Sequence, residues 1–294
     1  MICACIDIGS NTTRLLVADA TDGSLRELVT QRAFTRIGKS LGEGGAIPAA
    51  KIEETAVVVR TQAAVATEVG AEQVVVVGTA AIRNAPNRAE LVGAVEAASG
   101  LPLEMLAAEE EARLAFVGAT RTLATPPTGR IAVIDVGGGS SEIAIGEGDG
   151  RMEWCESFRV GSGFLADSYL RSDPPSVDEL ENVRRHVAGV FEGLRTPPAE
   201  TAVAVGGTAT SLRRLVGAEL SHDTLERGVR LLSSTPIAEL AERFELDPVR
   251  VRLLPAGILI LAAALDVLQL PLRIARGGLR EGLLLELVVG RRLA

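Results

Sequence analysis

Apolar positions recur in this chain with two periods. Residues 4–20, "ACIDIGSNTTRLLVADA", hold two short β-type runs, around Ile6 and Ile8 and again at Leu15-Leu16-Val17. Gly9-Ser10-Asn11 between them is turn chemistry, so the stretch predicts a β-hairpin with Asp7 inside its first strand. A Gly-rich loop over 38–48 follows. Ile52, Thr55, Ala56 and Val59 then recur at helical spacing, predicting a helix over 49–68. "QVVVVGTAA", 73–81, is a β-branched run bounded by Gly and predicts a buried parallel strand. A helix over 88–99, a short strand at 103–106, a helix over 109–122 and a boundary loop at 125–130, "TPPTGR", complete the first half.

The second half repeats the order. "AVIDVGGGSSEIAIG", 132–146, matches the opening stretch position by position: Asp135 falls on Asp7, Gly137 on Gly9, and Glu142 on Arg14. A strand at 154–160 and helices at 163–170 and 177–194 follow. "TAVAVGGTATSL", 201–212, then reads as a buried strand entering a Gly-Gly turn and a helix. The remainder is mostly helical and ends in a Leu-striped helix over about 279–293. Two copies of one hairpin imply two similarly built halves.

Composition narrows the chemistry. Of 294 residues, 47% are hydrophobic but only 3% aromatic, so Leu, Val, Ile and Ala must build the core. The net charge of −8 argues against broad nucleic-acid binding, so a polyanion would need a local basic patch. Cys3, Cys5 and Cys155 are odd in number and lack paired spacing, which suits a reducing compartment; the expected location is cytoplasmic. Cys3 and Cys5 share a strand face and read as small core residues. The uncharged apolar run over 253–265 is too short for a membrane span and predicts a buried helix. His186 and His222 have no metal-ligand spacing, so catalysis should rest on carboxylates and a cation.

Each motif has a plain and a chemical reading. The hairpin Asp either faces solvent, or the turn amides and Asp7 face a phosphate or its metal. Three successive glycines at 137–139 let backbone N–H groups approach an anion closely. Carboxylates beside a phosphate repel it, so a divalent cation between them is the natural inference. Gly206-Gly207 is either an ordinary tight turn or a helix N-terminus suited to phosphate. Glu109, Glu110 and Glu111 either complement a helix dipole or include a catalytic group. Arg83, after a buried strand, is either a surface residue or a fork for phosphate; the chain has only two lysines, Lys39 and Lys51. "IGKS", 37–40, lacks the first glycine of a Walker A loop and is set aside.

"DIGSNTTRLLVAD", "GTAAIRNAPN", "EEEARLAF", "VIDVGGGSSEIAIG", "VGGTATSL" and "GGLREGLL" occur in the order that marks the exopolyphosphatase/guanosine pentaphosphate phosphohydrolase family, which the chain resembles over nearly its whole length. The resemblance implies an α/β fold of the actin-like ATPase superfamily. Two ribonuclease-H-like domains, 1–124 with 279–294 packing back on it, and 125–278, would flank a cleft. It implies Glu111 as the water-activating base, with Asp7, Asp135 and Glu142 near the metal. Phosphates would be cradled by Ser10 and Asn11, by Gly137, Gly138, Gly139 and Ser140, by Gly207, Thr208 and Ser211, and by Arg83. Two positions depart from the family pattern: Phe164 stands where an Arg is common, and Arg227-Gly228 where a His-Gly pair is often found. The chain also stops after the two-domain core, whereas longer members carry further helical domains.

The expected activity is Mg²⁺-dependent removal of the terminal phosphoryl group of inorganic polyphosphate, with Mn²⁺ able to serve. Hydrolysis of guanosine pentaphosphate is the first alternative, and a base-stacking aromatic would favour it. A kinase of the superfamily and a non-catalytic phosphate-ligand sensor are the others. No nucleic-acid or membrane partner is expected, and a homodimer is compatible with the reading.

Overall fold

The computed structural model describes all residues except 21–23, 42, 126, 289 and 291–294. The chain divides into two compact units, Met1–Gly118 with the segment from Leu279 onward, and Ala119–Gly278.

In the first unit, β1 (Ile2–Ile8), β2 (Thr13–Asp19) and β3 (Arg26–Ala33) form an antiparallel meander. After α1 (Ala49–Glu68), β4 (Gln73–Gly78) adds parallel to β1. A single helical turn, α2 (Ala80–Arg83), leads to α3 (Arg88–Ser99). β5 (Leu103–Met105) then pairs parallel to β4, and α4 (Ala108–Arg121) follows. The sheet order is β3-β2-β1-β4-β5. Side chains alternate across a strand, and both faces of this sheet are covered. Ala4, Ile6 and Ile8 of β1 join the core that includes α1 and α3. Cys3 and Cys5 face the other way, into a core with Leu114 of α4. Asp7 shares their parity, so it lies on the α4 side of the sheet.

The second unit opens with the repeat hairpin, β6 (Arg130–Val136) and β7 (Ser141–Glu147), extended by β8 (Met152–Phe158). α5 (Ser162–Tyr169) and α6 (Val177–Phe191) precede β9 (Thr201–Val205), which pairs parallel to β6 and runs into α7 (Gly206–Val216). β10 (Glu219–Leu220), α8 (His222–Ser234), α9 (Ile237–Arg243), α10 (Pro248–Leu268) and β11 (Leu272–Ile274) complete a sheet of order β10-β11-β9-β6-β7-β8. α10 is long and apolar enough to cross a membrane, but 67% of its most apolar stretch is buried, packed against α5 to α9. It is therefore the central core helix of this unit.

The last helix, α11 (Leu279–Val288), returns to the first unit. Its Leu279, Leu283 and Leu284 pack with Cys3, Cys5 and Leu114. Burying three leucines stabilises this return by roughly 1.5–3 kcal/mol each. Most of the continuation of this helix to 293 lies outside the described residues.

Several expectations needed correction. β4 stops at Gly78, and residues 80–83 turn into a helix rather than prolonging the strand to 81. β3 lies before the Gly-rich loop in a segment for which the sequence predicted no element, and that loop contains two 3₁₀ turns, Gly38–Ser40 and Glu43–Gly45. Residue 42 of the loop and 126 of the boundary loop lie outside the described residues.

Candidate active site

In the first unit, the hairpin turn is closed by the Gly9 amide, which donates to the Thr12 carbonyl at 3.0 Å. The segment behind it clamps the turn from outside. The Arg36 amide donates to the Asn11 carbonyl at 3.0 Å and the Gly38 amide to the Ser10 carbonyl at 2.8 Å. Gly38 of "IGKS", set aside as a Walker A remnant, thus sits directly on the hairpin turn. With the carbonyls of Ser10 and Asn11 held outward, the amides of Ser10, Asn11 and Thr12 make no hydrogen bond among the described residues.

Asp7 lies one residue before the end of β1, opposite Arg14 of β2. Its Oδ1 is buried without a hydrogen-bond partner, and so is Nδ2 of Asn11. Burial pushes the Asp7 carboxyl pKa up, against the pull of Arg280 and Arg14. A buried carboxylate oxygen with no donor is costly unless something else occupies it. A hard cation is the kind of group that fits. Arg280 arrives from α11, far along the sequence. Its motif, "GGLREGLL", is visible in the sequence, but nothing there ties it to Asp7.

Glu111 stands in the first turn of α4. The Nη1 of Arg83 donates to Glu111 Oε2 at 3.1 Å and to the Leu106 carbonyl at 2.6 Å. Arg83 therefore reaches from α2 to the approach to α4 and holds the Glu111 carboxylate while tethered to backbone. The next turn of α4 is fixed by Arg113, whose guanidinium bonds Glu110 at 2.6–2.7 Å and Glu286 of α11 at 2.5–2.6 Å. Of the three acidic residues at this helix start, Glu110 is thus structural.

The second unit carries the same turn. The Gly137 amide donates to the Ser140 carbonyl at 3.0 Å, reproducing Gly9 and Thr12. The start of α5 clamps it: the Ser162 amide donates to the Gly137 carbonyl and the Phe164 amide to the Gly138 carbonyl, each at 2.9 Å. The amides of Gly138, Gly139 and Ser140 make no hydrogen bond among the described residues. Asp135 pairs with Glu142 across β6 and β7, so both carboxylates lie on one face. Glu142 is buried, and its Oε1 accepts from Ser157 Oγ at 3.0 Å.

The third glycine turn enters α7. Gly206 has φ +85, and a Cβ there would overlap Oδ1 of Asp135, so this position requires glycine twice over. α7 has no side-chain N-cap, which leaves the amides of Gly206, Gly207 and Thr208 at its start for an anion. Ser211 lies a turn inside the helix, where its hydroxyl donates to the Gly207 carbonyl at 2.8 Å. The Thr208 side chain is buried as well, so its contribution is the backbone amide.

The first unit thus brings together Asp7 with Arg14 and Arg280, and Glu111 with Arg83. The second brings together Asp135, Glu142 and Gly206. Among the described residues, no three His, Cys, Asp or Glu side chains are grouped as a self-sufficient metal site.

The model of the Ppx/GppA phosphatase family matches residues 16–290. The chain belongs to this family. Exopolyphosphatase 2 of Mycobacterium tuberculosis is 33% identical over 254 residues, covering 81% of this chain and 77% of that protein. The guanosine-5'-triphosphate,3'-diphosphate pyrophosphatase of Vibrio cholerae is 26% identical, covering 97% of this chain but 59% of the relative. The chain spans less than two thirds of the length of several curated relatives it matches. Among solved structures, the Ppx/GppA family member of Aquifex aeolicus superposes with a TM-score of 0.84 at 29% identity, covering 100% of this chain and 99% of that one. The fold is thus the two-domain actin-like ATPase fold of the Ppx/GppA structures.

Proposed function

We propose that the chain is a Mg²⁺-dependent phosphohydrolase that removes the terminal phosphoryl group of inorganic polyphosphate, with guanosine pentaphosphate as the alternative substrate. The observation that carries this reading is the doubled glycine turn, whose inner amides make no hydrogen bond among the described residues in either unit, in a chain whose Glu111 is held by Arg83. Named exopolyphosphatases and guanosine phosphohydrolases among the relatives support both substrates.

In the first unit the amides of Ser10 and Asn11, and in the second those of Gly138, Gly139 and Ser140, would bind phosphate oxygens and disperse their charge. Glu111 orients a water and takes its proton on a carboxylate oxygen. The water oxygen forms the new P–O bond, and the bridging P–O bond breaks with its electron pair leaving on the shortened chain. The proton then passes to the released orthophosphate. Arg83 keeps the Glu111 carboxylate in place through the cycle. Asp7 in the first unit, and Asp135 and Glu142 in the second, are the carboxylates in each unit that would hold Mg²⁺, and the orphaned Oδ1 of Asp7 fits that role. When bound, the ion neutralises developing phosphoryl charge.

Phosphate release from tripolyphosphate, longer polyphosphate and guanosine pentaphosphate, with Mg²⁺ and with excess EDTA, tests this. The Glu111→Gln variant should lose about 10²–10⁴-fold in kcat, since the amide keeps the shape but cannot take the proton. A Glu111→Gln enzyme above half the wild-type kcat, or full activity in EDTA, would refute it.

A further inference from the structure

Residues 160–164, the approach to α5 and its first turn, run along the back of the Gly137–Ser140 turn. The Ser141 hydroxyl donates to the Val160 carbonyl at 2.7 Å. The Gly137 carbonyl accepts twice from Ser162, from its amide at 2.9 Å and from its hydroxyl at 3.1 Å, and the Ser162 side chain is buried. The Gly138 carbonyl accepts from the Phe164 amide at 2.9 Å. Between these bonds the two main chains touch directly. An ideal Cβ on Gly161 would lie 2.5 Å from both the carbonyl carbon and the nitrogen of the Gly138–Gly139 peptide bond, and one on Gly163 would lie 2.9 Å from the Gly138 oxygen.

In a planar trans peptide the N–H points opposite to the carbonyl. Holding the Gly137 and Gly138 carbonyls on the start of α5 therefore turns the Gly138 and Gly139 N–H groups away from that helix. Their direction is set by α5 as well as by the turn itself. The first unit does the same with unrelated residues, where the Gly38 and Arg36 amides hold the successive carbonyls of Ser10 and Asn11. We infer that Gly161 and Ser162 are positioning residues for the phosphate site of the second unit. Gly161 admits the turn to main-chain contact, and Ser162 fixes the Gly137 carbonyl with two bonds. This rests on the reading of the turn amides as phosphate donors. Donors aimed in advance need no reorganisation when the anion arrives, so an error in their aim is read as lost binding.

The test titrates tripolyphosphate in Mg²⁺ into the Glu111→Gln protein, chosen to spare the ligand, with glycine-selective ¹⁵N labelling to follow the Gly138 and Gly139 amides. Gly161→Ala, Ser162→Ala and Gly146→Ala are added to this parent one at a time. Gly146 lies at the far end of β7, where a Cβ would overlap the Arg151 carbonyl oxygen, so its variant reports destabilisation of the same hairpin away from the turn. The Gly138 and Gly139 signals of the parent should move on titration. Relieving the Gly161 contact takes a shift of about 1 Å, and Gly161→Ala should weaken binding about 10²-fold. Ser162→Ala removes one hydrogen bond and should weaken it by about 2- to 13-fold. Gly146→Ala should lower Tm while keeping both the affinity and the signal movement. Parent affinity in both Gly161→Ala and Ser162→Ala, or an equal loss in Gly146→Ala, would overturn the inference and leave the phosphate reading standing. Signals that stay still in the parent at saturating tripolyphosphate would overturn the phosphate reading, and the inference with it.

Discussion

Adding one methyl group to α11 should disturb the helix that carries Glu111. An ideal Cβ on Gly282 would overlap the Leu114 carbonyl oxygen and fall 2.9 Å from its carbonyl carbon and 3.0 Å from the Gly118 amide nitrogen. All three are main-chain atoms of α4, so no rotamer can relieve the overlap. Ordinary carbon contacts sit at about 3.5–4.0 Å, so α11 and α4 would have to part by roughly 1 Å or more. Overpacking of this kind costs about 1–3 kcal/mol, and main-chain obstacles favour the upper end. Parting the helices also loosens Leu279, Leu283 and Leu284 and the Arg113–Glu286 bonds. The better helix propensity of alanine returns up to about 1 kcal/mol. The net loss for Gly282→Ala is then about 2 kcal/mol, or roughly 4–8 °C in Tm for a unit of this size. Gly189→Ala in α6 is the control. An added Cβ there meets nothing within 4 Å, so Tm should hold or rise. Differential scanning calorimetry measures both, and kcat should fall in Gly282→Ala because α4 positions Glu111. A Gly282→Ala protein melting within 1 °C of wild type would refute the reasoning.

Three further outcomes are expected. Arg83→Ala should lower kcat about tenfold or more with a smaller effect on KM, and Arg83→Lys should recover part of it, because the carboxylate it holds is the proposed base; a pure KM effect would make Arg83 a substrate contact instead. At the start of α6, partial burial works to raise the pKa of Glu179, but the Ser172 hydroxyl and the amides of Ser176, Arg171 and Ser172 outweigh it and hold it at about 2. Its folded pKa is depressed, so its stabilisation is present above the ordinary 4.5 and lost as pH falls toward 2; Glu179→Gln should melt below wild type at pH 7, and a gap that fails to close between pH 4.5 and 2 would contradict this. On a gel, long polyphosphate should shorten as a ladder of intermediates, because an acidic chain of net charge −8 repels a long polyanion within about 8 Å of its general surface; direct conversion to orthophosphate would show a polymer track.

What could be read from the sequence depended on whether a signal was local. The two hairpins were legible because turn and register are set by neighbouring residues, and the register pairs Asp7 with Arg14 and Asp135 with Glu142. The strand β3 was missed because its exposed and half-buried residues follow no period of two. β10 and β11 have only two and three residues and exist because they pair with each other and with β9. At the site, period two alone puts Asp7 on the face of Cys3 and Cys5, but not what covers that face. The covering helices explain how a carboxylate persists there. α11 brings Arg280 toward Asp7, and α4 brings Glu111 to Arg83. A buried acid at the end of a strand is tolerable only where opposing charge arrives from elsewhere in the fold, and here part of that charge comes from more than 270 residues away. The same logic explains Ser211. A glycine turn announces a helix start, but only the helix's actual first residue decides which amides remain unpaired, and beginning at Gly206 spends the hydroxyl of Ser211 on the helix itself.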